Sequence, residues 1–261
     1  MAQKDFLLSL VWLTVRSFAL DRDEVAVGRF RAFAAEYAGP VPAGSGQNPN
    51  NPTLTGWDPS WNSKSPADAA SLVASLKCNI HATWTDEAGA AESMPINCVS
   101  WYEAFAFCAW DGGWLPSEVQ WQYAASGGDE QRLYPWGDAP PSPMLAIYAC
   151  PQDAGAPPDC SMLLPVGSRP AGVARWGQLD LAGSLIEWVF DNYAEPVHDP
   201  YPFLNPCDDC EDTGATQNRV QRGGSWTGGA DSLANTSRDF FQAAPPAGNE
   251  HFEGFRCARS E

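Results

Sequence analysis

Two short runs late in the chain constrain its fold most. Arg219-Val220-Gln221-Arg222-Gly223-Gly224-Ser225-Trp226 and Gly254-Phe255-Arg256-Cys257-Ala258-Arg259 are each bounded by turn residues and carry an apolar residue where a buried strand needs one. Gly223-Gly224 permits a positive φ or a close approach of the backbone to another element. Residues 227–253, between the runs, show little apolar periodicity. The pattern predicts a long loop returned to a core by two anchored ends. Long loops in compact domains are functional or disordered, and the anchors argue for function.

Local signals predict the helices. Val25, Phe30, Phe33 and Tyr37 recur at a spacing near 3.6 within residues 24–37, which marks a helix with one core-facing side. Residues 67–77 are rich in Ala and Leu and read as a short helix. Ser100-Trp101-Tyr102-Glu103 is a capping box, in which the serine oxygen accepts an N–H three residues on and the glutamate reaches back. Trp101, Ala104, Phe105 and Cys108 then share a face. Ser117 and Gln120 repeat the device, with Trp121 and Ala124 inward, and Gly127-Gly128 ends that helix at a left-handed cap. Residues 39–66 form a surface loop with Trp57 and Trp61 as anchors, residues 129–178 are mostly loop, and Tyr134-Pro135-Trp136-Gly137 is an aromatic turn that plugs the surface.

Charge limits the partners. Asp and Glu outnumber Lys and Arg, 32 to 15, for a formal charge of −17. Such a surface repels a phosphate backbone, which argues against nucleic acid, and repels an anionic membrane surface as well. With no composition shift, linker or internal period, 18–261 reads as one domain. Residues 1–17 stand apart. Lys4 precedes an apolar run, Phe6 to Val15, of signal-peptide length and too short for a membrane span. A signal remnant, a first strand and a misassigned start all fit this segment.

The eight cysteines favour an oxidising location, extracellular, periplasmic or on the cell surface. They allow on the order of a hundred complete pairings, so sequence alone does not set the connectivity. Cys207 with Cys210, and Cys150 with Cys160, are close neighbours in turn-rich stretches. A zinc site around Cys207 and Cys210 is the rival reading, although a full site needs a second close ligand pair.

The two C-terminal runs resemble the closing section of the formylglycine-generating enzyme, or sulfatase-modifying factor, family. The likeness extends upstream through Phe18-Ala19-Leu20-Asp21 with Glu24-Val25, Met94-Pro95-Ile96-Asn97-Cys98-Val99-Ser100-Trp101, Leu115-Pro116-Ser117-Glu118, Tyr134-Pro135-Trp136-Gly137, and Asp180-Leu181-Ala182-Gly183-Ser184 ending at Glu187-Trp188. The resemblance implies an α+β, C-type-lectin-like fold: a small mixed or antiparallel sheet, two main helices and much irregular loop. It also implies a disulfide between Cys108 and Cys257. Cys78 with Cys98, Cys150 with Cys160 and Cys207 with Cys210 then complete the set.

The same resemblance implies a structural calcium ion. Its ligands fall on Asp180, Gly183, Leu185 and Glu187, with Asp180 and Ser184 standing where Asn is more usual. Mixed carboxylate and carbonyl oxygens suit that ion. A second calcium segment would fall within residues 145–165. Copper is not expected. The family's oxidase holds it with two thiolates shortly after the Gly-Gly-Ser run, and soft thiolates suit Cu(I). Here those positions are Gly228 and Leu233, and residues 223–256 contain no cysteine. An iron site of the two-histidine, one-carboxylate kind would need two of His81, His198 and His251 to meet in space.

Ser225, Trp226, Asp231, Asn235, Arg238, Asp239, Phe240, His251 and Glu253 lie where the family's substrate cleft runs. Aromatic rings, an arginine and amides suit a peptide, protein or carbohydrate ligand. The expectation is an exported, calcium- and disulfide-stabilised binding or structural module without the family's copper chemistry. An enzyme with different, metal-dependent chemistry in the same cleft is the alternative.

Overall fold

The computed structural model describes residues 13–149, 163–193, 207–214, 218–237 and 243–261. In chain order its elements are β1 (Leu13–Thr14), β2 (Ala19–Leu20), α1 (Val27–Glu36), α2 (Ala69–Ser75), α3 (Trp101–Trp110), α4 (Glu118–Ser126), β3 (Ile186–Asn192), β4 (Cys207–Asp208), β5 (Arg219–Arg222), β6 (Ala243–Ala244), β7 (Glu253–Gly254) and β8 (Ala258–Arg259).

Strand β3 is the spine. Ile186 through Asp191 are all buried, as expected of a strand covered on both faces. Its neighbours give a mixed sheet in the order β6-β5-β3-β7. β5 runs antiparallel to β3, with Glu187 opposite Arg222 and Trp188 opposite Gln221, and β7 runs parallel, with Glu187 opposite Gly254. The two C-terminal runs therefore flank one strand. The second run continues into β8, which pairs antiparallel with β2 and closes the chain onto its opening strand. β1 pairs in parallel with β4, Leu13 opposite Cys207, so a first strand does lie within the segment before residue 18.

Helices α3 and α4 clamp β3 by indole hydrogen bonds. Trp101 Nε1 donates to Val189 O and Trp188 Nε1 to Val99 O, each at 2.9 Å. From α4, Trp121 Nε1 donates to Glu187 and the Glu118 main-chain N–H to Asp191. Both helices begin at the expected capping boxes, on Ser100–Glu103 and Ser117–Gln120. Gly127 closes α4 at φ 70°, where a side chain would be strained.

Two expectations change in detail. On α3, Trp101 through Cys108 are all buried, not one face alone. The helix has no polar side, so it is stable only when covered all round. The cover is α1, through Phe30 stacked on Phe107 at 5.4 Å, and the 39–66 loop, whose Trp61 meets Trp101 at 5.0 Å and whose Trp57 meets Phe105 at 5.6 Å. Helix α1 starts at Val27 because the residues before it are held extended. Val25 N–H donates to Phe255 O, and Ile96 N–H donates to Val25 O.

Cys78–Cys98, Cys108–Cys257 and Cys207–Cys210 are bonded. The last bond removes both thiolates from the zinc reading. Cys150 and Cys160 lie outside the described residues. Tyr134 and Trp136 stack at 5.2 Å and pack on Ala146, Ala182 and Leu233, so this turn is a plug. Among the described residues no helix is long and apolar enough to cross a membrane.

Candidate functional site

The turn Asp180–Glu187 enters β3 through three residues at positive φ: Asp180 at 59°, Gly183 at 78° and Ser184 at 61°. Asn and Asp tolerate that region better than most residues, and Asp180 takes it here. Position 183 needs glycine, because a Cβ there would sit 2.3 Å from Ile147 O. Glu24 crosses to hold the turn, accepting from Ser184 Oγ and Leu185 N at 2.8 Å each. Burial, then Asp180 and Glu187, raise the Glu24 carboxyl well above its usual range.

Glu187 is wholly engaged by protein donors. Its Oε1 accepts from Arg256 Nε at 3.0 Å and Nη2 at 2.6 Å, and its Oε2 accepts from Arg256 Nε and Trp121 Nε1 at 2.8 and 2.9 Å. The guanidinium is fully buried and completes its bonds on the carbonyls of Asp21, Arg22 and Leu179. A cation thus already stands among the carboxylate and carbonyl oxygens that calcium would need. As arranged, the expected set Asp180, Gly183, Leu185 and Glu187 does not fit that ion, because its glutamate is committed to Arg256 and Trp121. Asp180 instead accepts from Gly167 N at 2.6 Å. Residues 145–149, at the start of the second expected segment, contribute Ile147 O to Ser184 N. Residues 150–162 lie outside the described residues.

The positions matching the copper ligands hold no metal-binding side chain. Gly228 is a turn residue whose N–H donates to Ser225 O and whose carbonyl accepts from Ala149. Leu233 is buried in the apolar cluster with Ala146 and Ala182. Ser225 Oγ lies 3.1 Å from Thr227 Oγ1.

The expected cleft residues divide. Asp231 is exposed on the turn Ala230–Leu233. Asn235 is buried and braces α4 to the following loop, with Nδ2 donating to Ala125 O and Arg132 O. Glu253 is buried and accepts from Gln221 Nε2 and the Glu250 main-chain N–H; burial pushes its carboxyl up to about 7. Arg238, Asp239 and Phe240, with Phe241, lie outside the described residues, as does His198.

Trp226 and His251 do meet, and a third ring joins them. The His81 and His251 rings are 5.0 Å apart, and Trp226 stands 5.8 Å from the first and 5.9 Å from the second. Trp226 and His81 open onto a cavity of about 200 Å³ walled by Ile80, Ala82, Met94 and Leu163. Two asparagines hold the pair. Asn79 Oδ1 accepts from His81 N while its Nδ2 lies 2.8 Å from His251 Nδ1. Asn97 Nδ2 donates to the carbonyls of both histidines. His251 Nε2 and Trp226 Nε1 are buried with no hydrogen-bond partner. Sequence reasoning named the two histidines and the tryptophan but missed Asn79 and Asn97. The one local signal was Asn79 two residues before His81, a spacing at which an Asn side chain bonds the main chain. A larger groove of about 500 Å³ runs past Arg16, Phe18, Tyr123 and Trp176, and none of the residues expected to act lines it.

Comparisons with known proteins agree with this architecture. Residues 10–261 match the sulfatase-modifying factor enzyme 1-like domain. The chain is 33% identical over 175 residues to hercynine oxygenase of Mycolicibacterium thermoresistibile, covering 63% of this chain and 35% of that protein. It is 33% identical over 174 residues to inactive C-alpha-formylglycine-generating enzyme 2 of Mus musculus, covering 64% and 49%. The chain therefore spans between a third and a half of the length of these relatives. Among solved structures, PvdO from Pseudomonas aeruginosa superposes with a TM-score of 0.62 at 19% identity, covering 96% of this chain and 83% of that one. That likeness carries the fold alone.

Proposed function

The chain belongs to the sulfatase-modifying factor family, and from that premise we propose that it is an exported binding module, stapled by disulfides, that does not carry out copper-dependent cysteine oxidation. The carrying observation is the pair of positions after Gly223-Gly224-Ser225. Gly228 has no side chain and Leu233 is buried with Ala146 and Ala182 under Tyr134 and Trp136, so neither position offers a thiolate to copper. Cys108 and Cys257 lie in the core and are bonded to each other. A mouse relative, 33% identical, is named an inactive C-alpha-formylglycine-generating enzyme, which supports this reading. The disulfides support a location where thiols are oxidised, and the cavity beside Trp226 supports a ligand of peptide or carbohydrate kind.

A second reading has its own observation. His81 and His251 converge although 170 residues separate them, and the mycobacterial relative is named an oxygenase. An enzyme with different chemistry in the same cleft would use that pair. One experiment separates the readings. The purified protein is incubated with a sulfatase-type cysteine peptide, with and without copper, and separately assayed for bound iron. No loss of the peptide thiol and no stoichiometric iron are expected. Turnover or tightly held iron would overturn the module reading. Gly228→Cys with Leu233→Cys is the constructive control, and it should introduce copper binding.

A further inference from the structure

Strand β2 pairs with β8 in the register Ala19–Arg259 and Leu20–Ala258. Ala258 exchanges both of its main-chain hydrogen bonds with Trp114, at 2.9 Å each. Bonded and non-bonded pairs alternate along an antiparallel ladder. Leu20 and Ala258 are therefore a non-bonded pair, and the Leu20 N–H and C=O point away from β8. On that side Arg22 O accepts from Leu179 N at 2.8 Å, a first rung of the kind a further strand would make. The rungs stop there. Ala174 N donates to Gln178 O and Gly177 sits at φ 97°, so residues 174–178 turn back on themselves instead of following β2. Among the described residues the Leu20 main chain finds no partner on this edge.

The space left by that turn is the groove of about 500 Å³ between Phe18 to Leu20 and Trp176. Val15 to Leu20 line its length, and six residues of strand span at most about 20 Å. The far wall is Tyr123 and Trp176, whose rings stack at 5.2 Å with Trp176 left 46% exposed. The Leu20 side chain packs against the cluster of Trp121 and Ala125 on α4. A strand laid beside β2 would send every second side chain the same way, onto Ala124, Tyr123 and Trp176, and the others into solvent. The rim is acidic. Arg16 is already paired with Asp208 and Asp209, at 2.6 and 2.9 Å, and Glu261 adds a further carboxylate. The chain as a whole carries a formal charge of −17. That charge opposes a second copy at this edge and attracts a basic segment.

We propose that β2 is a docking edge for an extended segment of a partner protein in which apolar and basic residues alternate. The segment's main chain pairs with the Leu20 N–H and C=O, the arrangement by which free sheet edges recruit a strand. Its apolar side chains lie on Tyr123 and Trp176, and its basic ones answer the surplus carboxylates of the rim. No residue of this groove lines the cavity beside Trp226, so the docking edge stands or falls apart from the reading of that cleft.

The test uses the whole protein with acetyl-Lys-Val-Lys-Val-Lys-amide as probe, read by NMR of the main-chain amides and indole nitrogens. The probe should bind at millimolar concentration or below, move the Leu20 amide signal downfield and shift the Trp176 indole. Glutamate in place of each lysine should abolish binding, and added salt should weaken it. The probe's amides are then methylated one at a time. Alternate amides face β2, so methylating one of those should cost roughly fivefold, about the value of one neutral hydrogen bond, while the amides between should tolerate it. Trp176 is a half-exposed wall residue, so Trp176→Ala leaves the core in place and should weaken the probe by a similar factor. A probe that leaves the Leu20 and Trp176 signals still at millimolar concentration would overturn the proposal. Binding indifferent to every N-methyl group would overturn it as well, because the main-chain edge would then not be used. A free protein that sediments as a dimer with its Leu20 amide protected from exchange would also overturn it and give the edge to a second copy.

Discussion

Replacing Arg256 with methionine tests how the centre of the fold is held together. The guanidinium is fully buried and serves Glu187, two carbonyls of the 21–22 segment and Leu179 O. Arg256→Met leaves Glu187 charged, buried and paired only with Trp121. Removing one partner of a buried ion pair costs about 3–5 kcal/mol. The stranded Leu179 carbonyl adds about 1 kcal/mol. Asp21 and Arg22 are part-exposed, so water can replace their lost donors. The expected loss is roughly 4–6 kcal/mol, or on the order of 10–20 °C in Tm for a chain of this size. Adding Glu187→Gln removes the stranded charge and keeps an acceptor for Trp121, so the double variant should recover about 2 kcal/mol relative to Arg256→Met. Urea unfolding followed by tryptophan fluorescence reads all four corners of the cycle. The same melts in EDTA and in calcium test whether Arg256 is the cation of this site. Chelation should leave the unmodified protein's Tm unchanged. A loss below about 1 kcal/mol for Arg256→Met, the worth of a surface pair, would refute the reasoning. So would a clear fall in Tm on chelation, which would return Glu187 to a metal.

Three further outcomes are expected. Cys108→Ala with Cys257→Ala opens a loop of 149 residues, and the chain-entropy relation gives a loss of roughly 5 kcal/mol; unreduced peptide mapping should find the pair joined, and an unchanged Tm in the double variant would contradict the estimate. Stability should fall as pH rises from about 4 to about 8, the interval between the ordinary carboxyl range and the folded values of Asp191 and Glu211. Burial, then Glu118, pushes Asp191 up to about 7, and burial, then Asp191, pushes Glu211 up to about 8. A raised carboxyl stabilises the fold below its unfolded pKa, and that contribution is lost as pH climbs through the folded value, at up to about 1.4 kcal/mol per pH unit for each group. Thermal melts across this range should flatten in Glu211→Gln, and a Tm that rises with pH would contradict the assignment. Asp180→Asn keeps the acceptor for Gly167, suits φ 59° and removes a buried charge facing Glu187; a gain of up to about 1 kcal/mol is expected near pH 8, and a loss of that size would show that the charge itself is needed.

What could be read in the chain follows from how far each interaction reaches. The capping boxes at Ser100 and Ser117 and the glycine cap at 127 close within four residues, so their residue types declare them. The order of motifs carried the family, and with it the mixed sheet around Glu187-Trp188 and the Cys108–Cys257 bond. The absence of copper ligands at 228 and 233 was likewise a matter of residue type. The functions of buried charges were not legible. Glu187 has the same oxygens whether it meets a metal or a guanidinium, and only the parallel pairing of β3 with β7 brings Arg256 to it. Asn235 and Glu253 look like cleft residues in the sequence and turn out to be braces, because their partners at Ala125 and Gln221 lie far along the chain. His81 and His251 could be named as residues that would have to meet. That they do meet depends on Asn79 and Asn97 reaching across the fold, and hydrogen bonds between segments more than 150 residues apart leave no periodicity for a sequence to show.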